Sequence, residues 1–475
     1  MKSASPAPQP RFGPSAAPAV LAFAGLVATL MQTLVVPMAP LWPELLDAPP
    51  AATSWLVTAT LLAGAVSNVL LGRLGDIFGR RRLMVIALWV LTLGSLAGGL
   101  THNVWVLVAV RVLQGLSMGV VPLGMAMLRE ILPPARYVRG VALISALIGV
   151  GGALGFGASA VVGTYLDWHW LFWGSAMLGA LTLAGIRLAV PADRRALPGT
   201  RDRVDVPGAG LLVAGLVALL TAVTNARGWG WTSTATLGTL AGAGVVLALW
   251  AGRQWRTRQP LVNLRMAVHR PVLFTNLAST MVGIGMYPML LAVPQLVQVP
   301  AGTGHGIGST LLASGLVIVP GGVVSLFMPP LAARISGRWG PRAVMLTGAG
   351  IMASAYAYIL VSHSSLVEVT VQTALLHVGL AFCFGAAPAM LSGHVPSKDL
   401  GQVNGVNNLV RTLGTATSAA LTATVLAALP IAGGPGAGRY PSGTAFTLVF
   451  GLGLACCLLV PVLAALAGRR AEPPG

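Results

Sequence analysis

Two arginines, Arg111 and Arg411, fall inside long apolar stretches. A charge at the centre of a bilayer costs at least about 2.5–3.5 kcal/mol, so each must meet backbone carbonyls, an anionic group or water in a cavity. Gln114 and Gly115 follow Arg111 within about one helical turn. Asn404, Asn408, Arg411, Thr415 and Ser418 recur at intervals of 4, 3, 4 and 3 residues, which places them on one helix face. A polar stripe of this kind faces a cavity or a neighbouring helix rather than lipid. His377 sits in the middle of another apolar run, one turn after Thr373. Its imidazole can exchange protons near neutral pH, so it is either a relay or a histidine bonded in place.

All eleven acidic residues, by contrast, lie between the apolar runs or at their ends. A cavity with fixed positive charge and no carboxylate repels cations, which predicts a neutral or anionic amphipathic ligand. Nothing points to catalysis. A G-x-x-x-x-G-K-[ST] nucleotide loop needs a lysine, and Lys2 and Lys398 stand in none. No H-E-x-x-H pair, acid dyad or nucleophile with its base is visible. Cys383, Cys456 and Cys457 all lie in apolar runs and read as small packing residues, so no metal and no cofactor is expected.

The elements that must position these groups follow from composition. Of 475 residues, 55% are hydrophobic and 8% charged, whereas soluble domains carry roughly 25% charge. The chain therefore belongs in a lipid bilayer. The net charge of +18 does not indicate nucleic acid, because the basic residues sit in short clusters between apolar runs, without interleaved aromatics. A hydrocarbon core about 30 Å thick needs roughly 20 apolar residues per helix, and fourteen such runs are found, among them 54–72, 104–127, 308–331 and 404–429.

Basic residues favour the cytoplasmic side of a membrane. With both termini inside, 25 of the 29 are cytoplasmic, only Arg227 and Arg439 fall outside, and Arg111 and Arg411 lie within spans. The predicted fold is all-α, with fourteen transmembrane helices in two pseudo-symmetric six-helix halves and a pair inserted between them. The boundaries are a cytoplasmic tail at 1–16, the first half at 17–190, basic loops and the inserted pair at 191–270, the second half at 271–467, and a tail at 468–475. An internal echo supports the two halves. The segment after the second span, Gly72 to Arg82, has a counterpart after the second span of the last six, Ala333 to Arg342. Paired halves with a site near the midplane are a transporter trait.

In the first of those segments Gly72, Leu74, Asp76, Gly79, Arg80 and Arg81 match G-x-L-a-D-r-x-G-r-r, and in the fourth span Arg111, Gln114 and Gly115 match R-x-x-Q-G. With these motifs the chain resembles the major facilitator superfamily, and in particular its fourteen-span drug/proton antiporter branch. Pro294, Gln295, Gly308, Ser309, Gly315, Pro320, Asn408, Arg411 and Gly414 resemble that branch's C-terminal pattern. The resemblance implies a secondary transporter of the inner (plasma) membrane, bacterial in type, exporting small amphipathic molecules against protons by alternating access. It implies that Arg73, Asp76, Arg80 and Arg81 form a cytoplasmic gate in a tight turn between Gly72 and Gly79. It also points to Gln32, Thr33, Arg111 and Gln114, and the spacing and chemistry described above point to His377, Asn404, Asn408, Arg411 and Thr415, as residues that serve proton coupling or line the substrate cavity.

The fifth-span signature G-x-x-x-G-P-x-x-G-G appears as Gly151 to Ala160, with Phe156 in place of proline and Ser159-Ala160 in place of the last glycines. The first span lacks the branch's Asp two residues before Thr33. An importer or uncoupled facilitator is thus the alternative, and a membrane sensor or receptor a more distant one. Gly151 and Gly155 have small-x-x-x-small spacing, which serves close helix packing or a hinge. The partners expected are the lipid bilayer, a small-molecule substrate and protons.

Overall fold

In hydrocarbon every backbone N–H and C=O must be satisfied within its own segment, and each apolar run does so as a helix. The computed structural model describes residues 16–191, 205–230, 232–257, 260–261, 264–395, 400–432 and 439–468. The first half comprises α1 (Ala16–Thr33), α2 (Trp55–Phe78), α3 (Arg80–Gly98), α4 (Val104–Ile131), α5 (Pro134–Tyr165) and α6 (Trp170–Ala189). The inserted pair is α7 (Val206–Trp229) and α8 (Thr234–Arg256). The second half comprises α9 (Arg270–Gln298), α10 (Leu311–Ser325), α11 (Met328–Val361), α12 (Leu366–Ser392), α13 (Leu400–Ala428) and α14 (Gly443–Leu466). Among the described residues thirteen of these are long and apolar enough to cross a membrane, and α10 is a shorter apolar helix. A two-stranded hairpin, β1 (Pro430–Ala432) and β2 (Arg439–Pro441), joins α13 to α14.

Three predicted boundaries move. Residues 72–78, expected in a turn, continue α2, because nothing in that segment interrupts helical hydrogen bonding. The break is confined to Gly79, at φ 97° and ψ 128°, from which α3 starts at once. The tenth span does not run unbroken over 308–331. It is divided near Val317 and again at Phe327, and Pro320, Pro329 and Pro330 each stand in the first turn of a new segment, where a missing N–H costs nothing. It then continues into α11, which is broken at Gly340, with φ 81° and ψ 165°. Gly340 thus repeats Gly79: in both halves the second and third spans are separated by one glycine in a conformation that side chains disfavour. The fourth span extends beyond 104–127 to Ile131 and contains a 3₁₀ turn at Ser117–Gly119.

The apolar core divides as the helices do. One cluster is drawn entirely from α1–α6 and the short segments between them. The other is built mainly on α9–α14, with Leu61 and Val66 of α2, Phe156 of α5 and Leu216 of α7 joining it. Helix α7 packs on α8 and reaches α2 and α13, while α8 is largely exposed along its length, as a lipid-facing helix would be.

The pair is pinned by Asp205, which caps α7 through the Gly208 N–H and accepts hydrogen bonds from Arg253 Nε at 2.8 Å and Gln254 Nε2 at 2.8 Å. Burial pushes the Asp205 carboxyl up, but the hydrogen bonds from Arg253, Gly208 and Gln254 outweigh it and hold the group below the usual carboxylate range. The stabilisation is therefore present above the unfolded pKa of about 4 and is lost as the pH falls through the lower folded value. Asp205→Asn is expected to cost about 1–2 kcal/mol and to flatten the acid limb of a detergent melting profile.

Candidate functional site

Between the halves, midway along their helices, lies a cavity of about 100 Å³. Its wall is drawn from α1 (Thr29, Gln32, Thr33), α2 (Asn68), α4, α5 (Gly152, Phe156), α9 (Met286, Leu290), α10 (Ser325), α12 (His377, Phe384) and α13 (Asn408, Arg411, Thr412, Thr415). No aspartate or glutamate is among its lining residues. Pockets for small molecules span about 300–1,000 Å³, so this one must widen before it admits a drug-sized compound. A wide surface depression around Asp167, His169, Trp170 and Trp173 lies at one end of the first half and touches neither arginine within the spans.

Each polar residue on the wall is held differently. Gln32 Nε2 donates to the Tyr287 hydroxyl of α9 at 3.0 Å, joining the halves. Thr33 Oγ1 donates to Gly152 O at 2.7 Å, fastening α1 to α5. His377 is buried, and its Nδ1 lies 2.8 Å from Thr373 O. A carbonyl only accepts, so Nδ1 carries the hydrogen in the neutral ring and Nε2 keeps its lone pair. Arg411 donates through Nη2 to Asn408 Oδ1, and its Cζ stands 4.1 Å from the centre of the Phe384 ring.

The two arginines within spans do different work. Arg111 is fully buried and absent from the cavity wall. Its Nε reaches Leu56 O at 2.8 Å, and its Nη1 reaches Met31 O at 2.8 Å and Gln114 Oε1 at 2.5 Å. Gln114 Nε2 continues to Ser95 Oγ at 2.9 Å. Met31 O belongs to the last turn of α1, where a helix end leaves acceptors unpaired, and Leu56 O, in the first turn of α2, also accepts from Thr60 Oγ1 at 3.3 Å. Arg111 thus ties α4 to α1 and α2, with Gln114 adding α3, and holds the turn that carries Gln32.

Along α13, Asn408, Arg411 and Thr415 face the cavity, Ser418 instead donates to Ile284 O of α9 at 2.7 Å, and Asn404 is off the wall. Asn407, one residue off the stripe, clamps α9 through Asn276 Oδ1 at 2.9 Å and Ser279 Oγ at 2.8 Å. Met286 lines the cavity, while Met289 is fully buried elsewhere.

At the end of α2, Arg80 pairs with Glu130 of α4 at 2.5 Å and Arg81 donates to Arg187 O of α6 at 2.9 Å. Both contacts lie within the first half. Glu130, an acid at the end of the fourth span in the sequence, is the partner that the motif did not name. The side chains of Arg73 and Asp76 lie outside the described residues, although their backbone is helical rather than a turn.

Glycines set how closely α5 approaches its neighbours. A Cβ added at Gly151 would stand 2.2 Å from Leu26 O, and one at Gly155 would stand 2.1 Å from Thr33 Oγ1. These contacts lie inside the first half. Across the halves, a Cβ at Gly315 of α10 would stand 2.3 Å from Ala160 Cβ and 2.6 Å from Phe156 O, and one at Gly322 would stand 2.1 Å from Ala153 Cβ. Gly163 with Leu311 and Gly149 with Ser325 extend the same antiparallel seam. The end of the bundle away from Arg80 and Arg187 is closed along this line.

The sequence model described as Major Facilitator Superfamily matches residues 21–419. The chain belongs to the major facilitator superfamily. It is 28% identical over 311 residues to the multidrug resistance protein B homolog of Mycobacterium tuberculosis (strain CDC 1551 / Oshkosh), across 64% of this chain and 55% of that relative's length. The chain thus spans little more than half of that relative. It is 30% identical over 439 residues to the cephamycin export protein CmcT of Amycolatopsis lactamdurans, across 90% of this chain and 87% of that protein. In fold it is similar to the partially occluded inward-open xylose transporter XylE of E. coli, with a TM-score of 0.61 and 13% identity over 94% of this chain and 96% of the other. With its thirteen helices long and apolar enough to cross a membrane among the described residues, this superfamily member is a multi-pass membrane protein.

Proposed function

We propose that this transporter exports small amphipathic organic molecules, neutral or anionic, across a bacterial inner membrane in exchange for protons. The observation that carries the reading is the cavity between the halves: it holds Arg411, His377 and apolar side chains, and its wall contains no carboxylate. Fixed positive charge without a counter-charge disfavours cations in a medium of low dielectric constant. Relatives named for multidrug resistance and for cephamycin export support the outward direction.

Halves 17–190 and 271–467 rock about this cavity, and the α5–α10 seam closes the outer end when the cytoplasmic end opens. Both termini are then cytoplasmic, with Arg73, Asp76, Arg80 and Arg81 at the cytoplasmic gate. Gln32, Thr33, Asn408, Arg411 and Thr415 contact substrate, while Arg111 and Gln114 hold the turn behind Gln32, and Gly151 and Gly155 keep α1 against α5.

His377 offers a coupling device. A proton and a hydrogen-bond donor on the substrate compete for the same Nε2 lone pair, and mutual exclusion of this kind is what antiport requires. Inverted vesicles test the reading. An imposed gradient, acidic inside, is expected to drive uptake of neutral and anionic amphiphiles and to leave cationic ones behind. Equal uptake of a cationic dye would overturn the charge preference, and uptake indifferent to the gradient would favour the uncoupled facilitator.

A further inference from the structure

Arg411 differs from Arg111 in what it lacks. Arg111 spends Nε and Nη1 on two carbonyls and an amide oxygen, and its Nη2 is sealed in the core away from the cavity, with no partner among the described residues. Arg411 is a wall residue whose only polar partner among the described residues is Asn408 and whose guanidinium carbon stands over the Phe384 ring. A guanidinium has five N–H donors in a planar fork, so most of them open onto the cavity. No acid on the wall neutralises the charge. The ring face of Phe384 and the Asn408 amide fix the orientation of the fork, which removes much of the ordering cost of a bidentate contact.

We propose that Arg411, oriented by Phe384 and Asn408, is a subsite for a planar carboxylate carried on an apolar body. The carboxylate docks edge-on to the free N–H groups of Arg411, and the body lies along Phe156, Met286 and Leu290. This deepens the proposed function by naming the polar group of the substrate, and it rests on the cavity being the substrate site. Phe384 acts as a positioning residue, because it works through Arg411.

The test is binding to the purified full-length protein in detergent, without a gradient, so that it is independent of transport direction and of proton coupling. The probes are 1-naphthoate, 1-naphthalenemethanol and 1-naphthylmethylammonium, which share a ring system and differ in charge. Wild-type protein is expected to bind naphthoate about tenfold or more tighter than the alcohol, the scale of a charge-assisted pair over a neutral one, and the ammonium weakest. Arg411→Gln is expected to abolish the preference, so that acid and alcohol bind with Kd values within about twofold of each other, and an unchanged melting transition in detergent shows that the variant is folded. Arg411→Lys keeps the charge without the fork and is expected to retain only part of the preference. Phe384→Leu is expected to reduce the ratio of acid to alcohol affinity, because the fork is no longer held in place.

The comparison of probes on wild-type protein needs no variant. Equal affinity for acid and alcohol there, or a preference that survives Arg411→Gln, would overturn the proposal. Displacement of naphthoate by millimolar chloride would also overturn it, since the site would then belong to a free inorganic anion. Acid-selective binding in a protein that moves no protons would leave the subsite standing and refute the coupling.

Discussion

Gly315→Val is expected to reduce transport by about 10- to 100-fold while leaving the protein folded. The added side chain would collide with Ala160 and the backbone of Phe156 across the seam between the halves, and overpacking of this kind costs about 1–3 kcal/mol. The penalty falls only on the state in which this end is shut, because the seam parts when the halves rock. A cost borne by one of two states shifts their populations by the corresponding factor, and a transporter must visit both. A cysteine replacing Met38, which is buried where Gly163 meets Leu311, is expected to become reactive toward a bulky thiol reagent in the Gly315→Val background. Gly151→Val supplies the contrast. Its collision with Leu26 O lies inside the first half, so it penalises both states alike and is expected to lower the melting temperature and the yield instead.

Arg111→Met is expected to damage folding more than any change on the cavity wall. It strips donors from Met31 O and Gln114 Oε1 together, while Leu56 O keeps Thr60 Oγ1. Each buried polar group left unpaired costs about 1–3 kcal/mol, so the two together cost about 2–6 kcal/mol, a large part of the stability of an ordinary domain. Monodisperse elution in detergent is the readout. Arg111→Lys, which can reach some of these acceptors but not all in the same plane, is expected to fold in part. A cleanly folded Arg111→Met protein with wild-type melting and no proton coupling would show that Arg111 serves transport directly, not the framework.

That contrast marks where reading the sequence stops. Both arginines were visible as charges in apolar runs, since the hydrocarbon core permits so few that each stands out. Which of them faces the cavity was not visible, because the acceptors of Arg111 are backbone carbonyls at the ends of two other helices, and carbonyls carry no signature in side-chain types. The fourteen spans were legible for a related reason: a bilayer imposes length and composition on every segment that crosses it. Their ends were less so. Helix α2 outruns the apolar stretch to reach Gly79, and the tenth span breaks at prolines that apolar counting passes over. Of the polar stripe on α13, Asn408, Arg411 and Thr415 line the cavity, yet Ser418 turns to Ile284 O and Asn407, outside the stripe, bonds to two side chains of α9. Phe384 carried no signal, because an aromatic residue in a membrane helix is ordinary until a cation is found over its face.

Proton movement on addition of substrate tests whether substrate export is coupled to protons. Acid-loaded inverted vesicles carrying the protein would be given neutral or anionic amphiphiles while internal pH is followed, with Gly315→Val as the slowed control. Protons are expected to leave the vesicle lumen with wild-type protein, at least about tenfold more slowly with Gly315→Val, and not at all when a cationic amphiphile is added. Substrate uptake with no accompanying proton release would contradict it and identify an uncoupled facilitator.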